Sequence, residues 1–166
     1  MKLYVMRHGP AEAAADSGID ADRALTASGR DRVASIAKAL LEAHEEPLHV
    51  FTSPLVRAVQ TAEIVAIVTQ LGSRDGTVSP RRELAPDGEG AQLARSLSSQ
   101  GKRRVMLVGH EPDLSDMLST ILGLSFDRPF EKAMVVGIDV QSNIAPGRLR
   151  FLLDPKGLRF TPRIGA

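Results

Sequence analysis

The heptapeptide Tyr4-Val5-Met6-Arg7-His8-Gly9-Pro10 ends an apolar run, Leu3 to Met6, in an arginine, a histidine and a Gly-Pro break. A short apolar run bounded by turn formers reads as a buried strand, and Gly9-Pro10 forbids its continuation. In an open α/β sheet, ligands bind just outside the carboxyl ends of the strands, so Arg7-His8-Gly9 stands where one would be met. Gly9 lets the backbone turn sharply and approach a ligand closely. Arg7 brings a fixed charge and a fork of donors suited to phosphate or carboxylate.

The same design recurs further along. Ala11 to Asp22 is small and polar and reads as a loop. A helix then starts at Leu25-Thr26 and carries Val33, Ile36, Ala37, Leu40 and Leu41 at helical spacing. Pro47 ends it, and His49 to Thr52 suits a second strand. Ser53-Pro54 opens the next helix, as an N-cap followed by proline at the first helical position. Leu55, Ala58, Val59, Ala62, Val65 and Ala66 form its apolar stripe, with Arg57 off the stripe in the first turn. From Leu71 to Ser79 the periodicity is lost, and Arg81 to Gly88 reads as an irregular rim. Gly90 to Ser99 is a weaker helix. Arg104 to Gly109 is a clear buried strand that again ends in a histidine, His110, and Pro112 opens a helix with Leu114, Met117, Leu118, Ile121 and Leu122 inward. Ala133 to Val140 and Leu149 to Leu153 read as an antiparallel pair at a sheet edge, separated by the turn-prone Ser142-Asn143 and Pro146-Gly147. The expected fold is a three-layer α/β/α sandwich, mostly parallel with an antiparallel C-terminal edge, in one domain over residues 1–166.

Composition narrows the function classes. Of 166 residues, 43% are hydrophobic and 25% charged, as in an ordinary globular chain. A net charge of +1 provides no general attraction to nucleic acid or to an acidic membrane, so any anion site must be local. The absence of cysteine excludes disulfides, thiol nucleophiles and cysteine-ligated metals. No secretory signal and no membrane-length apolar run are read, so the expected address is the cytoplasm. His44 and His49 straddle a helix-breaking proline and read as surface residues, not metal ligands. Arg148, Arg150, Arg159 and Arg163 read as a solvated face.

If the parallel strands lie side by side, Arg7, His8, Arg57 and His110 surround one crevice, with helix N-termini adding donors for a dianion. The residues that make this crevice resemble the histidine phosphatase, or phosphoglycerate mutase-like, superfamily. The resemblance rests on M-R-H-G at Met6 to Gly9, L-T-x-x-G at Leu25, Thr26 and Gly29, S-P-L-x-R-A-x-Q-T-A at Ser53 to Ala62, E-L-x-P-x-G at Glu83 to Gly88, and V-G-H-x-P at Val108 to Pro112. Length, the E-L-x-P-x-G element and the simple R-A-x-Q-T helix make the chain most similar to the small SixA-type phosphohistidine phosphatases.

The resemblance implies a covalent phosphohistidine on His8, with Arg7, Arg57 and His110 holding the phosphoryl oxygens. Phosphoryl transfer has a loose transition state, so positioning and charge stabilisation supply most of the catalysis. Imidazole is a competent nucleophile when one nitrogen is unprotonated. No metal or other cofactor is expected, because the arginines supply the charge. Glu83 is the positional candidate for a general acid in ester cleavage, with partnership to Arg81 or Arg82 as its alternative. Ser53 and Thr26 are helix-start residues that could also contact phosphate, and Gly9 could do so through its backbone. Pro10, where such phosphatases often carry a polar residue, removes a donor and stiffens the loop.

The segment between the Arg57 helix and the Arg104 strand has no room for a large lid, which suits an open site acting on a phosphorylated side chain of a protein. The expected substrate is phosphohistidine in a protein, such as a histidine-containing phosphotransfer domain. A small phosphate ester is the alternative within the same chemistry. A non-catalytic phosphate-binding module is an alternative of another class, and a mutase is the least favoured.

Overall fold

The structure, a computed structural model, describes residues 1–141 and 146–162. The Ser142-Asn143 turn and Arg163 therefore lie outside the described residues. The chain runs β1 (Lys2–Arg7), α1 (Ala27–Glu42), β2 (His49–Thr52), α2 (Val56–Val68), β3 (Thr77–Pro80), α3 (Gly90–Ser99), β4 (Arg104–Gly109), α4 (Asp113–Leu122), β5 (Val135–Asp139), β6 (Arg148–Leu153) and β7 (Phe160–Pro162). One sheet contains the strands in the order β3-β2-β4-β1-β5-β6-β7. β1, β2, β3 and β4 are parallel, and β5, β6 and β7 continue antiparallel from β1. This is the expected mixed α/β fold. Among the described residues no helix is long and apolar enough to cross a membrane.

Alternation along the central strands builds two cores. Leu3 and Val5 of β1, with Val105 and Leu107 of β4, face α3 and α4, where Leu93, Leu97, Leu114 and Leu118 meet them. Tyr4 and Met6, with Met106 and Val108, face α1 and α2, where Val33, Ile36, Leu40, Ala58, Ala62 and Val65 close the other side. A parallel strand covered by helices on both faces must be apolar at every position, so β1 and β4 are unbroken hydrophobic runs.

Three differences from the sequence reading have physical causes. β3 forms where the periodicity was lost, because Thr77–Pro80 is a short edge strand with no fully buried residue to reveal a pattern. β7 likewise is a brief, exposed edge beside β6, so the β5–β6 pair is flanked on both sides and is not itself the sheet edge. Arg150 is not on a solvated face: it bonds the Glu45 carboxylate, as do Lys2 and the Tyr4 hydroxyl, and it also pairs with Asp139. Arg150 and Glu45 are both half-buried and stand 105 positions apart in the chain, and sequence spacing does not report such a long-range pair. Arg148 is exposed and pairs with Asp139.

Candidate active site

Register brings the site together. Arg7 stands opposite Gly109 in the β1–β4 pair, and Thr52 opposite Val108 in the β2–β4 pair, so three neighbouring strands end side by side. The backbone N–H of His8 continues the ladder to the Gly109 carbonyl, and that of Ser53 to the Val108 carbonyl. His8, Ser53 and His110 are thereby set on one edge. The rings of His8 and His110 lie 5.0 Å apart between centroids.

His8 is buried, and its Nδ1 lies 2.7 Å from the Gly9 carbonyl oxygen. A carbonyl only accepts, so Nδ1 carries the proton and Nε2 keeps its lone pair. Burial, reinforced by His110 and by the positive charges of Arg57 and Arg7, holds the pKa of His8 down to about 3, against a hydrogen bond to Gly9 that works the other way. The ring is neutral at neutral pH, as a nucleophile requires.

Gly9 holds this turn by closeness. A Cβ there would sit 2.6 Å from Val33 Cγ2, and its N–H donates to Thr61 Oγ1 at 3.1 Å. That donor is therefore engaged within the protein, which corrects the reading of Gly9 as a phosphate contact. Gly29 is similarly constrained, since a Cβ on it would lie 2.0 Å from the Pro10 carbonyl oxygen. Thr26 caps α1 by accepting from the Gly29 N–H at 3.0 Å, and its hydroxyl also reaches the Pro10 carbonyl and Ser28 Oγ.

Ser53 is not a helix cap. α2 begins three residues later at Val56 with no side-chain cap, and Ser53 Oγ lies 2.8 Å from His110 Nε2 while accepting from the Leu55 N–H at 3.3 Å. The Ser53 hydroxyl proton is able to donate to Nε2, and with that donation the proton of neutral His110 stands on Nδ1. Burial and the nearby Arg57 hold His110 down to about 4, so the ring is neutral. Its Nδ1 is buried and has no protein partner. Buried donors are rarely left so, and an orphaned one beside a nucleophile suits a ligand oxygen.

The arginines repeat the pattern. Arg57, in the first turn of α2, is 6% exposed; its Nη1 donates to the Asp20 carbonyl at 2.8 Å and its Nη2 to Asp20 Oδ2 at 2.9 Å, while Nε has no partner. Arg7 donates through Nη1 to the Phe130 carbonyl at 2.7 Å and likewise leaves Nε unpartnered. Sequence reasoning missed Asp20, Thr61 and the Phe130 carbonyl. Asp20 lies in the polar loop before α1 and Phe130 far along the chain, so no local pattern links either to its arginine. Thr61 stands within the quoted R-A-x-Q-T-A motif, one helical turn after Arg57, and that was the available signal.

Glu83 is engaged with a neighbouring arginine at the surface. Its carboxylate pairs with Arg81, with Oε1 at 2.6 Å from Nη2, and this contact lowers it from the ordinary glutamate range. A general acid must hold its proton at working pH, and an arginine partner opposes that. The partnership with Arg81 is the alternative the sequence left open. Among the described residues no group of three or more His, Asp or Glu side chains is placed to hold a metal ion.

The chain is similar to known proteins in sequence and in fold. The histidine phosphatase superfamily (branch 1) model matches residues 3–76, which include Arg7, His8, Ser53 and Arg57. An uncharacterized protein of Picosynechococcus is 39% identical over 73% of this chain and 73% of its own. The phosphohistidine phosphatase SixA of Escherichia coli K12 is 34% identical over 68% of each. Among solved structures, the protein histidine phosphatase SixA complexed with tungstate superposes with a TM-score of 0.86, at 25% identity, over 96% of this chain and all of that one.

Proposed function

The chain belongs to the histidine phosphatase superfamily and is SixA-like, which supports phosphatase activity; on that premise we propose that it removes phosphate from phosphohistidine in proteins through a covalent intermediate on His8. The observation that carries the reading is His8 Nδ1 held against the Gly9 carbonyl, which frees Nε2, in a ring that lies 5.0 Å from that of His110 and feels the charges of Arg57 and Arg7. Nε2 attacks phosphorus with its lone pair, and the bond from phosphorus to the leaving group breaks with its electrons going to that group. Arg7, Arg57 and His110 Nδ1–H stabilise the charge on the three equatorial oxygens. Water then attacks the phosphorus of the phosphohistidine and passes a proton to bulk solvent, and the P–Nε2 electron pair returns to the imidazole as inorganic phosphate departs.

The engagement of Glu83 favours a nitrogen leaving group. An alkoxide needs a proton as it departs, whereas an imidazole leaves as a neutral molecule once its other nitrogen is protonated. The segment between α2 and β4 holds β3, α3 and two short 3-10 turns, which agrees with an open site that admits a protein side chain.

The test is a rapid-quench reaction of the protein, in EDTA, with a protein carrying radiolabelled phosphohistidine, comparing wild type with His8→Ala. The expected result is label that appears transiently on wild type, is lost in acid, survives alkali and is absent from the variant. Substrate left intact by wild type, with turnover of small esters instead, would overturn the phosphohistidine assignment.

A further inference from the structure

Arg57 is not the outermost charge of the site. Its side chain is 7% exposed, but the Asp20 carboxylate that binds it is 63% exposed. His8, His110 and Arg57 are all buried, while the exposed Asp20 carboxylate is bonded to Arg57 and lies near enough to His110 to act on its ionisation, so we take the three as the floor of the site and Asp20 as standing at its solvent side. In-line transfer puts the leaving group opposite the attacking nitrogen. With the nucleophile in the floor, the leaving group points outward, past Asp20. Asp20 also reaches Arg23, Oδ1 to Nη1 at 2.9 Å, so the mouth carries one carboxylate and one further arginine.

We propose that Asp20 is a specificity-determining residue: its carboxylate at the mouth favours phosphoryl donors whose leaving group is cationic over those whose leaving group is anionic. This rests on the reading of the site as a phosphatase working through His8. The chemistry matches a phosphoimidazole protonated on its distal nitrogen, which presents a positive ring to Asp20 and departs as neutral imidazole with the P–N electron pair. An anionic leaving group, such as a carboxylated or second phosphorylated fragment, meets Asp20 as a like charge. Arg23 opposes this effect, which makes the electrostatic account testable in both directions.

The experiment compares kcat/KM for two aryl phosphates that differ in the para group, one trimethylammonium and one carboxylate, in wild type, Asp20→Asn and Arg23→Gln. Asparagine keeps an oxygen acceptor for Arg57 and removes only the charge. Dividing each variant's cation-to-anion ratio by that of wild type cancels the intrinsic reactivity of the probes. Unit charges some 8 Å apart near a screened surface interact enough for about a fivefold change per charge, so the ratio should fall about tenfold or more in Asp20→Asn. It should rise in Arg23→Gln, and the wild-type preference should shrink as salt is raised. An unchanged ratio in Asp20→Asn, with or without a common loss of rate, overturns the proposal.

Phenylphosphonates bearing the same para groups, titrated by calorimetry, read the same ratio without turnover. If none binds wild type, the phosphoryl site and this proposal fall together. If the charge ratio behaves as stated but phosphohistidine protein is not hydrolysed, Asp20 keeps its role and only the substrate assignment falls.

Discussion

Ser53→Ala removes one oxygen and tests how His110 is held. The hydroxyl is fully buried, 2.8 Å from His110 Nε2 and 3.3 Å from the Leu55 nitrogen. Alanine leaves buried His110 Nε2 and the half-buried Leu55 N–H without this partner. A lost neutral hydrogen bond costs about 1 kcal/mol net and an orphaned buried group about 1–3 kcal/mol, so a loss of about 2 kcal/mol follows. For a chain of this size that lowers the melting temperature by about 4–8 °C. The larger effect is on chemistry. Without Ser53 nothing fixes the proton on Nδ1, and a ring protonated on Nε2 turns an acceptor toward the phosphoryl oxygens. Loss of one such donor costs on the order of a hundredfold in rate. Long-range proton–nitrogen correlation spectra of labelled histidine read the tautomer directly, beside kcat/KM for a phosphohistidine protein. A spectrum and a kcat/KM both unchanged by the substitution would refute the role of Ser53 in fixing the His110 tautomer.

Further outcomes follow from the same geometry. Because burial depresses both His8 and His110 below the free value of 6.5, the folded protein takes up fewer protons than the unfolded chain as pH falls from there. Their contribution to stability is complete above that pH and declines as pH drops toward their folded values. Denaturant midpoints should therefore decrease between about pH 6.5 and pH 5, where carboxylates remain ionised, and the decrease should be shallower in His8→Asn. Gly9→Ala drives a Cβ to 2.6 Å from Val33 Cγ2. It should cost about 1–3 kcal/mol in urea unfolding, and less in a Val33→Ala background, where the clashing methyl is gone. Glu83→Gln should leave phosphohistidine hydrolysis nearly unaltered in steady-state assays, since its carboxylate serves Arg81; a large fall in kcat would return it to the reaction.

What could be read before folding was what is local. Apolar runs at β1 and β4, helical stripes at α1, α3 and α4, and an Arg-His or Gly-His break at a strand end are short-range signals, and each is found at its predicted place. Placing Arg7, His8, Arg57 and His110 around one crevice needed only the further rule that parallel strands end together. β3 and β7 escaped because short edge strands bury too little to leave a period.

The roles of particular atoms came from distant partners. Thr26 capped its helix, as its place before α1 suggested, but Ser53, an equally good cap by sequence, was turned onto His110 by the adjacency of β2 and β4. Glu83 could have faced the site or an arginine, and packing of the rim joined it to Arg81. Asp20 became the partner of Arg57 across 37 positions of chain. The residue order thus determines which segments are strands and helices and which chemical groups stand at their ends, because propensity and periodicity act over a few residues. Protonation sites, orphaned donors and the charge at the mouth depend on burial and on contacts between remote segments, and those exist only once the sheet has assembled.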